Sequence, residues 1–397
     1  MIPGIAILAL GYVLSQFYRT FLAVLSVDLG NDLGASPSDL SIASGTWFIV
    51  FALAQFPVGV WLDKYGPRRM TAALFAFSAA GGALFLALAT SPLHLMIAMG
   101  FIGMGCSPVL MAPLFIFAKA FAPARFGLLS AWFVAFGTFG NVAGAKPLAI
   151  LAETYGWREV MTGLSIVTFL LGVCIFLLVK DPKTDQSETD ASGFRSFLTL
   201  LKLKYLWPII PLMAIAYALP AGLRGYWAAP FLSELYSANT ATIGTVTLWM
   251  ALAMIIGSLI YGQLDTKISS RKRLVVTGNA LVLASVAVLA LQPDLGLSMA
   301  TGMLVLCCLA GMNQPVLLAH ARQFFPPHLV GRGITLMNFF SIGGVGVLQW
   351  TTAGLISDDA IENTPFGAFQ TLFGFYTIVL GLVLIVYLAA RERPNTP

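Results

Sequence analysis

Gly59-Val60-Trp61-Leu62-Asp63-Lys64-Tyr65-Gly66-Pro67-Arg68-Arg69 is a short charged hinge between two apolar runs, residues 41–62 and 70–90. Each run is long enough to cross about 30 Å of hydrocarbon as a helix, and neither shows the two-residue alternation of a barrel strand. So short a connection returns the second helix beside the first on the same side of a bilayer. Its cations, Lys64, Arg68 and Arg69, place that side in the cytoplasm.

Outward from the hinge the pattern repeats. Of 397 residues 58% are hydrophobic and 10% charged, and the mean hydropathy is +0.86. A soluble domain carries roughly 25% charged residues, so these charges are too few to cover a wet surface. The composition predicts an all-α integral membrane protein and excludes disordered, collagenous and disulfide-scaffold classes. Cys106, Cys174, Cys307 and Cys308 all lie in apolar runs and read as buried thiols. Met1 to Val13 has no basic start and no cleavage site, so it reads as the first membrane helix and not as a removed leader.

Twelve spans are expected, near 3–27, 41–62, 70–90, 94–120, 127–151, 159–179, 206–232, 242–264, 274–292, 297–322, 333–357 and 367–390. A polar stretch with Asp181, Pro182, Asp185, Glu188 and Asp190 separates spans six and seven. It divides the chain into an N-terminal lobe (1–180), a linker (181–204) and a C-terminal lobe (205–397). Within the linker, Phe194, Leu198 and Leu201 beside Arg195, Lys202 and Lys204 fit a short interfacial helix. The halves are alike: Pro108 and Pro315 follow similar residues 207 apart, Asp63 and Asp265 are 202 apart, and Gly127 and Gly333 are 206 apart. Such a duplication marks a two-lobed transporter with pseudo-two-fold symmetry.

Depth sorts the 22 cations. With the N-terminus inside, 18 fall on the cytoplasmic side and Arg158 alone outside, where Asp28, Asp32, Asp39, Glu234, Asp294, Asp358, Asp359 and Glu362 collect. The net charge of +5 is therefore topology, with both termini cytoplasmic, and points to no nucleic acid. Arg19, Lys146 and Arg224 belong to no loop.

The hinge resembles the G-x-x-x-D-[RK]-x-G-[RK]-[RK] signature of the major facilitator superfamily, and with twelve spans in a 6+6 repeat the resemblance covers the chain. It implies that Gly59, Asp63, Lys64, Arg68 and Arg69 latch the cytoplasmic side. Physically, Gly59 would let two helices approach, Asp63 would meet a helix N-terminus, and the arginines would meet phosphates or carboxylates. Positive-inside anchoring is the competing account of the cations. The second copy, with Asp265 and Arg271, departs from the pattern, because Gly262 is only three residues before Asp265 and no glycine stands in Ile268-Ser269-Ser270. Two marks of drug:proton exporters are missing: the span-four arginine falls near Met99, and the span-five Gly-Pro reads Lys146-Pro147.

A mid-membrane cation opposes insertion by about 3 kcal/mol, and no midspan carboxylate is present to neutralise these three. Tyr12, Ser15, Gln16 and Arg19 form one polar stripe at i, i+3, i+4 and i+7. Tyr217, Ala221 and Arg224 repeat it in span seven, where Pro220 and Gly222 loosen the helix. Arg19 precedes Asp63 by 44 residues and Arg224 precedes Asp265 by 41, so the two are near repeat equivalents. Two guanidiniums facing across the pseudo-two-fold axis would make a fork for a carboxylate, phosphate or phosphonate. Structural arginines capped by carbonyls are the competing reading, as is a Lys146 that snorkels outward or pairs with Glu153. The arginine pair resembles that of organophosphate:phosphate antiporters, which also carry a basic residue in span five. Their span-two lysine is absent here, where Gln55 stands.

Asn313 and Gln314 of span ten are further binding candidates, as are Ser107, Asn141, Asn338 and Gln349, with interhelical hydrogen bonding as the alternative. His320 reads as a proton carrier or a helix-end histidine. The glycines at 100, 103 and 105 and at 343, 344 and 346 read as helix packing and not as phosphate loops. No nucleophile paired with a base, metal cluster or nucleotide site is seen, so no enzyme activity and no cofactor is expected. The expectation is a monomeric, multi-pass transporter of the cytoplasmic membrane. Its partners are the lipid bilayer, a small anionic substrate, and a co-transported proton or counter-anion. Export of amphipathic compounds and a non-transporting sensor or scaffold are the rivals.

Overall fold

A computed structural model describes residues 2–120, 129, 132–134, 136–182, 195–268, 270–326, 329–356 and 358–392. The expected opening of span five at Gly127, the linker residues 183–194 with Phe194, and the cations Arg125, Lys183 and Arg393 lie outside these. Among the described residues nine helices are long and apolar enough to cross a bilayer, and two bent helix pairs make a first and a fifth span. Helix Val330–Leu355 stands where span eleven is expected, completing the twelve-helix arrangement.

The chain divides into two compact units, Met1–Ala191 and Ser192–Pro397. In the first unit span two (Pro37–Leu62) packs on span four (Pro92–Phe117), span three (Lys64–Ala87) on span six (Trp157–Leu178), and span one on span five. The second unit repeats each pairing six spans later: Thr240–Asp265 on Leu297–Arg322, Arg271–Leu291 on Pro365–Leu388, and span seven (Lys204–Tyr236) on Val330–Leu355. The duplication seen in the sequence is thus a duplication of helix contacts.

Span one breaks where its polar stripe ends. Ile2–Phe17 and Phe21–Leu33 meet at 50°, with Tyr18, Arg19 and Thr20 in the bend. The second segment runs on past the apolar stretch through Asp28 and Asp32 and closes at Gly34, whose φ is +64 and whose N–H returns to the Gly30 carbonyl. Span five bends by 41° between Trp132–Ala143 and Lys146–Tyr155. The two broken spans touch closely, because a Cβ at Gly140 would fall on the Val13 carbonyl oxygen. Span seven stays continuous but widens to a π-turn at Leu223–Trp227, around Arg224. Helix Arg195–Leu201 occupies the described end of the linker, with Leu198 exposed.

Candidate functional site

In the first unit the bend of span one sets Arg19 against an aromatic wall on span two. Its guanidinium carbon lies 5.3 Å from the Trp47 ring centroid and 4.9 Å from that of Phe51. These two rings are themselves stacked, 5.0 Å apart and 16° from parallel. Cation–π contact holds the guanidinium plane in place without occupying its N–H groups. Arg19 Nε is buried with no hydrogen-bond partner among the described residues, and so is the Trp47 indole nitrogen. One turn beyond Phe51, Gln55 is buried and its Nε2 donates to the Ser107 carbonyl at 3.3 Å, while its Oε1 has no described partner. Cys106, beside Ser107 at the break of span four, interacts with Ser15 and Arg19.

The rest of the stripe is drawn inward. Tyr12, Ser15 and Gln16 are buried. Gln16 Nε2 donates to the Tyr12 hydroxyl at 3.3 Å, and the Tyr12 ring stacks on Phe133 at 5.5 Å. Lys146 opens the second half of span five and is exposed. No ion pair joins it to Glu153 among the described residues, so that explanation of Lys146 is set aside.

In the second unit Arg224 is only 2% exposed, and its Nε donates to the Thr247 carbonyl at 3.4 Å. Neighbouring groups shore up the π-turn: Gln349 Nε2 donates to the Gly222 carbonyl at 3.1 Å, and Trp227 Nε1 to the Thr352 hydroxyl at 2.9 Å. Tyr217, at the joint just before Ala218–Gly222, interacts electrostatically with Arg224.

Asn313 and Gln314 are engaged elsewhere. Asn313 is fully buried, takes a bond from Asn279 Nδ2 at 3.0 Å and donates to the Ala310 carbonyl at 3.0 Å. Gln314 Nε2 donates to the Ser341 hydroxyl at 2.8 Å. Both knit helices together, which is the interhelical alternative. His320 lies between the Tyr387 hydroxyl (2.7 Å) and the Arg391 carbonyl (2.8 Å), as a helix-end histidine would. Among the described residues no group of His, Cys, Asp or Glu has a metal-binding arrangement.

The hinge closes on a partner that sequence spacing did not reveal. Gly66 has φ +79, and Asp181 packs so tightly against it that a Cβ there would meet a carboxylate oxygen at 2.6 Å. The Arg68 N–H donates to Asp181 Oδ1 at 2.9 Å, its Nε donates to the Phe176 carbonyl at 2.6 Å, and its guanidinium lies over the Phe176 ring. Gly59 is corrected: a Cβ there would meet nothing within 4 Å, so it permits no close approach among the described residues. Lys64 and Arg69 are exposed, with Lys64 over the Tyr65 ring at 5.1 Å, and the side chain of Asp63 lies outside the described part. In the departing second copy, Arg271 forks onto Asp265 at 2.7 and 3.2 Å. There the Lys272 N–H donates to Glu392 at 3.1 Å, the counterpart of Arg68 on Asp181. Asp181 and Glu392 each follow the sixth helix of a repeat, and their one legible signal was an acid placed just after an apolar run.

This arrangement, six helices repeated with a charged hinge after the second, defines a class. The sequence model of the Major Facilitator Superfamily matches residues 8–347 and 223–397. The chain belongs to that superfamily and is a multi-pass membrane protein. It is 24% identical over 273 residues to the sialic acid transporter NanX of Escherichia coli (strain K12), covering 67% of this chain and 65% of NanX. It is 20% identical over 290 residues to a probable L-galactonate transporter of the same organism, covering 67% of this chain and 63% of that one. The chain thus spans less than two thirds of the length of these curated relatives. Among solved structures it is similar to the nucleoside transporter NupG, with TM-score 0.78 and 11% identity over 98% of this chain and all of that one. It is also similar to a D-xylose-proton symporter, with TM-score 0.76 and 15% identity over 98% of this chain and 97% of that one. At these identities the likeness is one of fold.

Proposed function

We propose that the protein is a secondary transporter that moves a small organic anion across the cytoplasmic membrane by alternating access. Arg19 and Arg224 bind the anion, and Lys146 adds positive charge. The observation that carries this reading is Arg19: a guanidinium within a membrane lobe, steadied by two rings, whose Nε has no described partner. A buried charged donor left unsatisfied is destabilising, and an anionic substrate would supply its acceptor. The names of two relatives support a carboxylate, since sialic acid and L-galactonate both carry one. Because the spans lack a midspan acid to carry protons, exchange for another anion or a proton entering with the substrate supplies the drive.

Counterflow into proteoliposomes tests this with radiolabelled L-galactonate and sialic acid. Uptake above protein-free vesicles is expected for at least one of them, and Arg19→Ala and Arg224→Ala should each lower it at least tenfold, as loss of a charged hydrogen bond implies. Unchanged anion uptake in both variants refutes the assignment. Saturable uptake of amphipathic cations insensitive to competing anions would favour export with structural arginines.

A further inference from the structure

We propose that Trp47 joins Arg19 in binding the carboxylate and that Gln55 determines specificity in the first unit, so that the substrate is a hydroxylated carboxylate whose decisive hydroxyl lies several carbons from its acid group. This deepens the reading that Arg19 binds an anion, and rests on it. Four buried polar atoms around the span-one bend lack a hydrogen-bond partner among the described residues: Ser15 Oγ, which interacts with Cys106, and Arg19 Nε, Trp47 Nε1 and Gln55 Oε1. The two nitrogens donate and the Gln55 oxygen accepts. Their chemistry is fixed by their neighbours. Only an NH2 group can donate to the Ser107 carbonyl, so that bond leaves the Gln55 oxygen as the outstanding atom. The guanidinium is held on the rings of Trp47 and Phe51, which brings the indole N–H close to Arg19.

Two donors on neighbouring side chains complement a carboxylate. A lone acceptor complements a donor, and a simple fatty-acid carboxylate has none to offer. A sugar acid presents both. Trp47, Phe51 and Gln55 follow one another at intervals of four residues along one face of span two. Gln55 therefore stands one helical turn, about 6 Å, beyond Phe51, which places the hydroxyl it accepts toward the far end of a chain of sugar-acid length.

The test is thermal-shift and counterflow binding on the full-length protein, with gluconate, L-galactonate and sialic acid beside hexanoate, which keeps the carboxylate and loses every hydroxyl. The wild type should favour at least one sugar acid over hexanoate by about tenfold or more. Gln55→Leu and Gln55→Met should bring that preference near parity and leave hexanoate binding unchanged. Trp47→Phe, which keeps the stacked ring and removes the N–H, should weaken sugar acids and hexanoate alike by about tenfold. Ligand-free melting temperatures report folding, and with two Gln55 substitutions a collapsed variant does not decide the matter. A preference that survives in a folded Gln55 variant, or a Trp47→Phe protein that binds as before, overturns the proposal. Arg19→Ala separates the two layers. If it abolishes binding of every anion while the Gln55 variants keep the preference, this proposal alone fails. If it binds every anion like the wild type, the anion reading fails with it.

Discussion

Arg158 illustrates how one side chain can be deciphered only by its contacts. As the sole cation assigned to the outer loops, it reads in sequence as an exception to the charge rule. In the structure its Nη1 donates to the Ala87 and Ala89 carbonyls at 2.9 and 2.8 Å, groups that the end of span three leaves without helical partners. Its guanidinium lies over Trp157 at 4.4 Å, whose indole donates to Asp32 at 2.8 Å. Asp32 also faces Arg158 at 3.6 Å, but the pair is 35% and 49% exposed, so the ion pair itself contributes little. The carbonyl bonds matter more. Arg158→Ala should cost about 1–2 kcal/mol, read as a lower melting temperature, with the substrate concentration for half-maximal uptake unchanged. Arg19 and Arg224 were legible because a cation inside an apolar run is conspicuous. The contacts of Trp47, Gln55, Asp181 and Glu392 were not, since a tryptophan in a membrane helix and an acid beside one are ordinary residues until a partner from elsewhere in the chain meets them.

At the scale of elements, the bends of spans one and five go together. The Cβ of any residue but glycine at position 140 would strike the Val13 carbonyl oxygen, and one at Gly144 would come 3.0 Å from Thr20 Oγ1. Gly140→Ala should therefore push the two spans apart and destabilise the protein by about 1–3 kcal/mol, as overpacking does. Because the same bend carries Arg19, the variant should also lose uptake more steeply than Arg158→Ala at equal loss of stability. Parallel measurements of melting temperature and counterflow in the two variants decide this. Among the described residues most span limits were legible because hydrophobicity ends where water begins, while spans one and three run past the expected 27 and 70 to Leu33 and Lys64. The bends were not, because polar residues and glycines recur in several spans and only some of these spans break. The π-turn at Arg224 falls where Pro220 and Gly222 weaken the helix, and in this case the loosening was foreseen.

For the whole molecule, the charge distribution makes a topological statement. Both termini and the two charged hinges should be cytoplasmic. With Cys106, Cys174, Cys307 and Cys308 replaced, single cysteines at Arg69 and Arg273 should react with a membrane-impermeant maleimide only after the membrane is opened. A cysteine at Asp294 should react in intact cells, and the reverse pattern would invert the assignment. The sequence by itself determined the membrane class, the number of spans, the duplication and the family. The first three follow from transfer free energy and residue spacing, and the family from the resemblance of the hinge motif, all of which are local properties of the chain. Only the tertiary structure decided that Arg19 rests on Trp47 and Phe51, that Asp181 and Glu392 receive the two hinges, and that Asn313 and Gln314 are engaged between helices. Such pairings join residues tens to more than a hundred positions apart, and which of many polar groups meet depends on how the helices pack, a choice that neither hydropathy nor spacing encodes.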